Sequence, residues 1–219
     1  ARFAACSRTR ATVLPMLWDD MIAPDNQTGQ AAPAVPPGTE SPWRRAVLLL
    51  CCWLVAVGLG AVHAWSARHS MNADGMSYLD LADAVQAGQW SDAVSAYWSL
   101  AYPSLLAFGL MLARPSPYWE ATVAHAVNFV IYLCALASFH FLWTGLWSSR
   151  QTRSASAGSD GGESIPSWAW LTLGYALFLW TSLDLITLQL VTPDMCVAAC
   201  VYLAAGIVVR LRRGQAGIG

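Results

Sequence analysis

The sequence predicts an all-α, polytopic membrane protein with four transmembrane helices and short interfacial helices in the first outer loop. Of its 219 residues, 56% are hydrophobic and only 11% are charged, whereas soluble domains carry about 25% charged residues. The hydrophobic residues come in long blocks with almost no charge, which is typical of membrane spans. The net charge of −1 and the lack of a basic stripe give no indication of nucleic-acid binding.

The first span is predicted at residues 46–66, after a tail that has no apolar period. Residues 1–42 should form a disordered cytoplasmic tail, because the part from 30 to 40 is rich in Pro and Ala. About 21 residues at ~1.5 Å each cross a ~30 Å hydrocarbon core, and Arg44 and Arg45 hold the start inside. A cleaved signal peptide is the alternative, but the run is too long for one.

The loop after this span, residues 72–102, is the long segment that is neither apolar throughout nor of low complexity. It contains four carboxylates and an aromatic rim, a combination that favours contact between a polar substrate and a lipid. Apolar residues recur at helical spacing over residues 75–87, and Gly88 is a natural stop, so we expect a short helix along the membrane surface.

Residues 100–113 are apolar but bounded by prolines. Pro103 can only open a helix and Pro115 closes it. The residues between them would rise about 16 Å, roughly half a bilayer. We therefore expect an interfacial or re-entrant helix that does not span the membrane.

Three further spans are predicted at residues 118–143, 168–190 and 195–211, with a polar Gly/Ser linker at 148–166 and a cytoplasmic end at 214–219. With four spans, the arginines at 44–45, 150–153 and 210–213 all lie inside, as the positive-inside rule requires. The loop 72–102 and the turn 192–194 then share the outer face.

Three aspartates in these outer segments have competing interpretations. Asp74 and Asp194 precede apolar helices, so each could act in chemistry or only cap a helix. If Asp184 lies within the span, burying its carboxylate in lipid is costly, so it should be functional or paired. If the span ends near Ser182, Asp184 simply lies in the outer loop.

The remaining polar residues have simpler explanations. Asp80 and Asp83 should lie on the solvated face of the surface helix. Glu120 and His125 are five apart, which is poor spacing for a shared ligand, so they should lie at the interface or bond to a neighbouring span. The six cysteines form no metal-spaced cluster, and helix packing explains the pair at 196 and 200 better than a ligand pair does.

Two runs in the first outer loop carry a resemblance to a known family. The pattern Asp-Gly-x-x-Tyr-Leu begins at Asp74, and Tyr-Trp-Ser-x-x-Tyr-Pro-x-Leu-Leu occupies residues 97–106. The order of these two motifs, and their predicted location on the same side of the membrane, resemble those of the GT-C superfamily of membrane glycosyltransferases. The group in question contains the aminoarabinose transferases, the protein O-mannosyltransferases and the rhizobial lipopolysaccharide sugar transferases, and the likeness covers residues 43–213.

The resemblance implies an enzyme that moves a sugar from a polyprenyl-phosphate carrier to a lipid, glycan or protein acceptor. It implies catalytic aspartates in the first and second outer loops, matched here by Asp74 and Asp194. The residues expected to bind substrate are Tyr78, Trp98, Tyr102 and Asp184. Some relatives hold a metal through a glutamate in the aromatic-proline run, but residues 99–103 offer none, so neither a metal nor another cofactor is expected.

The same resemblance implies a multi-pass protein of the bacterial inner membrane, with its catalytic loops on the periplasmic face. Members usually have eight or more spans, so the chain is expected to be an N-terminal portion. The alternative from another class is a transporter or scaffold subunit with the outer loop as a binding surface. Transporters tend to place charge at mid-membrane within internal repeats, and this sequence has no repeat.

Overall fold

A computed structural model describes residues 41–94, 97–156 and 165–216. The described part of the chain is helical and contains no strand. Its α-helices are α1 (Pro42–Ala67), α2 (Ala73–Gln86), α3 (Trp90–Ala93), α4 (Ala101–Ala113), α5 (Glu120–Ser156), α6 (Ser167–Leu179) and α7 (Asp194–Ala216). A 3₁₀ turn, Pro117–Trp119, precedes α5, and a π-helical segment, Trp180–Leu185, extends α6.

Among the residues that the structure describes, three helices are long and apolar enough to cross a membrane. They are Pro42–Ala67, Pro117–Gln151 and Asp194–Arg213. The chain is therefore a membrane protein. The predicted fourth span at 168–190 is not among the three; its helical stretch, α6 with the π-helical segment, runs from Ser167 to Leu185.

The long helix α5 differs from its prediction at its C-terminal end. The prediction of a linker at 148–166 was wrong in its first part, because α5, which is 37 residues long, extends to Ser156. Serines near this end bond back to the helix, Ser148 Oγ to Thr144 O at 2.9 Å and Ser149 Oγ to Gly145 O at 3.0 Å. The hydroxyls thus find hydrogen-bond partners within the helix, so these polar residues are compatible with it. Residues 157–164 of the expected linker lie outside the described residues, as do nearly all of the expected tail 1–42 and the last part of 214–219.

Four helices lie side by side, and arginines gather at one end of the group. Arg45 of α1 stacks over Trp147 of α5 at 5.8 Å, and Arg150 stacks over Trp170 of α6 at 5.3 Å. Arg210 near the end of α7 lies 4.0 Å from the ring of Phe141. The start of α1, the second half of α5, the start of α6 and the end of α7 thus lie together.

The opposite ends of the same helices also meet. Thr122 Oγ1 near the start of α5 donates to Arg68 O at 3.1 Å, just after α1 ends. Asn128 Nδ2 donates to Leu190 O at 2.9 Å, just before α7 begins. Helices α1 and α6 therefore run in one direction, and α5 and α7, which pack closely on each other, run in the other. The chain leaves α1 and enters α5 at the same end of the bundle. The segment that contains α2, α3 and α4 therefore begins and ends on that side.

The bundle is held by close contacts between α1 and α5. Gly60 of α1 lies directly against the ring of Tyr132, so that a Cβ atom there would collide with it. The hydroxyl of Tyr132 then reaches across and donates to Ala56 O at 2.9 Å. Small residues and cross-helix hydrogen bonds are how helices pack in lipid, where there is no hydrophobic drive between them.

The loop between α1 and α5 is itself folded into helices that pack on the bundle. Helix α2 packs chiefly on α4, and α4 also packs on α5. Gly88, after the C-terminus of α2, has φ +68°, which confirms the predicted stop. Helix α4 has 13 residues, with Pro103 in its first turn, and falls in the class of shorter apolar helices.

Candidate functional site

The two predicted catalytic aspartates occupy equivalent positions on α2 and α7. Asp74 and Asp194 both lie in the first turn of their helices, and both are exposed. The N-cap of α2 is Asn72, and Asp194 is the first helical residue of α7. Asp74 is therefore not the N-cap of α2, and a carboxylate in a first turn is favoured by the helix dipole.

The starts of α2 and α7 are joined through Asn72. Its side-chain Oδ1 accepts a hydrogen bond of 3.0 Å from Val191 N, three residues before Asp194. Gly75 lies against the same residue: a Cβ added to this glycine would be 2.9 Å from Val191 Cβ and 2.7 Å from Asn72 Oδ1. The glycine that follows Asp74 is thus required for the close approach of the two loops.

Tyr78 lies close enough to both carboxylates to feel their charge. Its side chain is 4% exposed. Burial raises the pKa of its phenol, and the negative charges of Asp74 and Asp194 raise that pKa further. Both carboxylates therefore lie within electrostatic range of one buried ring. We call Asp74, Asp194 and Tyr78 the carboxylate face.

An aromatic cluster packs around Tyr78. The ring of Tyr78 meets Trp98 edge-on at 4.7 Å between centroids and Tyr102 at 4.9 Å. Tyr97 packs against Trp98 at 4.7 Å and is itself 81% exposed. Two of the predicted substrate-binding residues, Tyr78 and Tyr102, are buried in this cluster, so they are suited to hold the face in place. Trp98 is half-buried.

A chain of hydrogen bonds connects the cluster to the loop between α6 and α7. The hydroxyl of Tyr102 donates to Asn128 Oδ1 at 2.6 Å, and Asn128 Nδ2 donates to Leu190 O at 2.9 Å. Burial raises the pKa of the Tyr102 phenol, which stays a hydrogen-bond donor. Through this chain, α4 and α5 fix the segment that leads into Asp194.

Sequence reasoning missed Asn72 and Asn128, the two residues that join the loops. Asn128 carried a usable signal, because an amide inside a predicted span is costly in lipid unless it bonds to a partner. Asn72 carried a weaker one, as a cap residue just before the Asp-Gly pair.

The third aspartate occupies a different setting. Asp184 lies in the π-helical segment and is exposed, and its Oδ2 accepts a hydrogen bond of 3.1 Å from Trp180 Nε1. No described contact connects it with the carboxylate face. Asp80 and Asp83 are both exposed on α2, which confirms the expectation of a solvated face.

Asp74 and Asp194 offer carboxylate oxygens that accept protons or hydrogen bonds. Within the described residues, no three His, Cys, Asp or Glu side chains form a group that could hold a metal ion. Comparisons with protein-family models, with curated proteins and with solved structures found no match to this chain. Two exposed carboxylates over a buried phenol can bind the hydroxyl groups of a polar molecule and can remove a proton from one of them.

Proposed function

We propose that the chain belongs to a glycosyltransferase that moves a sugar from a polyprenyl-phosphate carrier to an acceptor hydroxyl at the membrane surface. The observation that carries the proposal is the convergence of Asp74 and Asp194 on Tyr78 from two separate loops. Both carboxylates are exposed, while the residues that join the two loops are buried or half-buried. A fixed pair of proton acceptors beside bilayer-length helices suits a substrate with a sugar head and a lipid tail.

The chemistry follows from what each group can do. The acceptor O–H loses its proton to Asp74, and its oxygen forms the new bond to C1 of the sugar. The bond between C1 and the carrier phosphate breaks, and the phosphate departs as a stable anion. Since the leaving group needs no proton, the contribution required of the protein is a base within ~2.6–3.2 Å of the acceptor hydroxyl. Asp194 accepts hydrogen bonds from a neighbouring hydroxyl and orients the acceptor.

The topology proposed with this function has four spans, with α6 and its π-helical extension as the fourth. Two observations support it. Trp143 Nε1 of α5 donates to Trp170 O near the start of α6 at 3.2 Å, whereas Leu190 beyond the end of α6 bonds to Asn128. The helix therefore runs beside α5 from one end of the bundle toward the other. We further propose that α4 lies at the interface, and that the carboxylate face looks out of a bacterial inner membrane.

The function is tested by following both products. Membranes that contain the protein are supplied with polyprenyl-phosphate sugars labelled in the sugar, and the label is followed from the carrier into lipid, glycan and protein fractions. We expect transfer of label together with an equal amount of free polyprenyl phosphate. Uptake of label across the membrane without cleavage of the carrier would instead favour a transporter and would refute the proposed reaction.

A further inference from the structure

A cavity lies between α1 and α5, and no residue of the carboxylate face lines it. It has a volume of about 220 Å³. Its walls are mainly apolar and are formed chiefly by Ala61, Ala64, Trp65 and Phe129. It lies near the end of α1 and the start of α5, where the two helices bond through Thr122 and Arg68. The proposed function makes no use of it.

Arg68 provides a cation at the edge of this cavity. Its guanidinium stacks on the ring of Trp65 at 4.3 Å, and its Nη1 donates to Trp65 O at 2.8 Å. These contacts hold the side chain in place and occupy one of its five N–H donors. In the part of the chain that the structure describes, no carboxylate pairs with it. A guanidinium held over an aromatic ring at a helix end is well suited to a phosphate oxygen.

His125 provides a second polar group in the same cavity wall. It is 1% exposed, and its Nε2 lies 2.9 Å from Ser70 O. A carbonyl can only accept, so Nε2 carries the proton. The other ring nitrogen, Nδ1, is buried without a hydrogen-bond partner among the described residues. A buried polar atom without a partner is costly, and a hydroxyl donor would satisfy this one.

We propose that the cavity binds one acyl chain of an anionic phospholipid with a hydroxylated head group, of the phosphatidylglycerol type. The chain fills the apolar space, Arg68 binds the phosphate, and a head-group hydroxyl donates to His125 Nδ1. The walls include neither Asp74 nor Asp194, so the occupant is not presented to the carboxylate face. A resident lipid of the bilayer fits this position better than the sugar carrier does.

The test measures retention of phosphatidylglycerol by the purified chain in detergent, by native mass spectrometry. We expect Arg68→Gln, which removes the cation, and Ala61→Phe, which fills the space from an exposed position, each to weaken retention by about tenfold or more. Arg114→Gln is the matched control, since Arg114 lines a different cavity beside Asp83 and Glu120, and it should retain lipid as the unchanged protein does.

Competition on the unchanged protein decides the question without any variant. Phosphatidylcholine, which lacks both the net charge and the hydroxyl, should compete poorly, and millimolar inorganic phosphate should not displace the lipid. Equal binding of phosphatidylcholine, displacement by inorganic phosphate, or preferential binding of polyprenyl phosphate would each overturn the proposal. So would equal retention by the Arg68, Ala61 and Arg114 variants.

Discussion

Replacement of Asp74 by Asn is expected to lower sugar transfer by about 10²-fold or more. The amide keeps the size of the side chain but cannot accept the proton of the acceptor hydroxyl. Because Asn72 and not Asp74 is the N-cap of α2, the change removes no capping residue, and the protein should accumulate in membranes normally. The measurement is the initial rate of transfer at equal amounts of folded protein.

Asp80→Asn is the matched control for this prediction. The substitution makes the same chemical change on the same helix, at an exposed position outside the carboxylate face. It should leave transfer nearly unaltered. Near-normal transfer by the Asp74 variant would show that this carboxylate is not the base. Equal losses in both variants would point to the overall charge of α2 instead.

The second large effect is expected from Asn128→Leu. This change leaves the buried Tyr102 hydroxyl without its acceptor and Leu190 O without its donor. An orphaned buried polar group costs about 1–3 kcal/mol, and the segment leading into Asp194 loses its attachment to α5. We expect a lower unfolding midpoint in detergent and slower transfer, both measured on the purified protein.

The double variant Tyr102→Phe with Asn128→Leu separates these two consequences. It removes the orphaned hydroxyl and should recover part of the lost stability, because replacing both partners by apolar groups is nearly neutral. Transfer should stay low, since Leu190 remains unattached. A double variant no more stable than Asn128→Leu alone would show that the bond from Tyr102 has no part in holding the loops.

The sequence was informative wherever burial in lipid leaves a strong pattern. Block length and the placement of arginines predicted the all-helical membrane class, and the glycine and proline signals predicted the ends of the helices near residues 88 and 113. The length of α5 was not predictable in this way. Serine and arginine beyond Trp147 resemble a linker in the sequence, but the helix continues to Ser156 with serine hydroxyls bonded to carbonyls of the preceding turn.

The sequence predicted that the loops bearing Asp74 and Asp194 lie on the same side, but not the contacts that connect them. The assumption that both lie on one side brought Asp74 and Asp194 to the same face, but it said nothing of what connects them. The connection depends on a backbone amide bonded to Asn72 and on the absence of a Cβ at Gly75. Contacts between residues more than a hundred positions apart leave no local pattern in one sequence. Asp184 is a different case. Its bond to Trp180 joins residues only four positions apart, but the sequence analysis did not predict it.

The central claim, that both carboxylate-bearing loops lie outside a four-span bundle, is tested most directly by cysteine accessibility. Single cysteines replace the exposed residues Ser91, Gln189 and Gln151 in a cysteine-free background, and intact cells are treated with an impermeant thiol reagent. We expect labelling at positions 91 and 189 in intact cells, and at position 151 only after permeabilisation. Labelling of positions 91 and 189 on opposite sides, or of position 151 together with position 91, would contradict it.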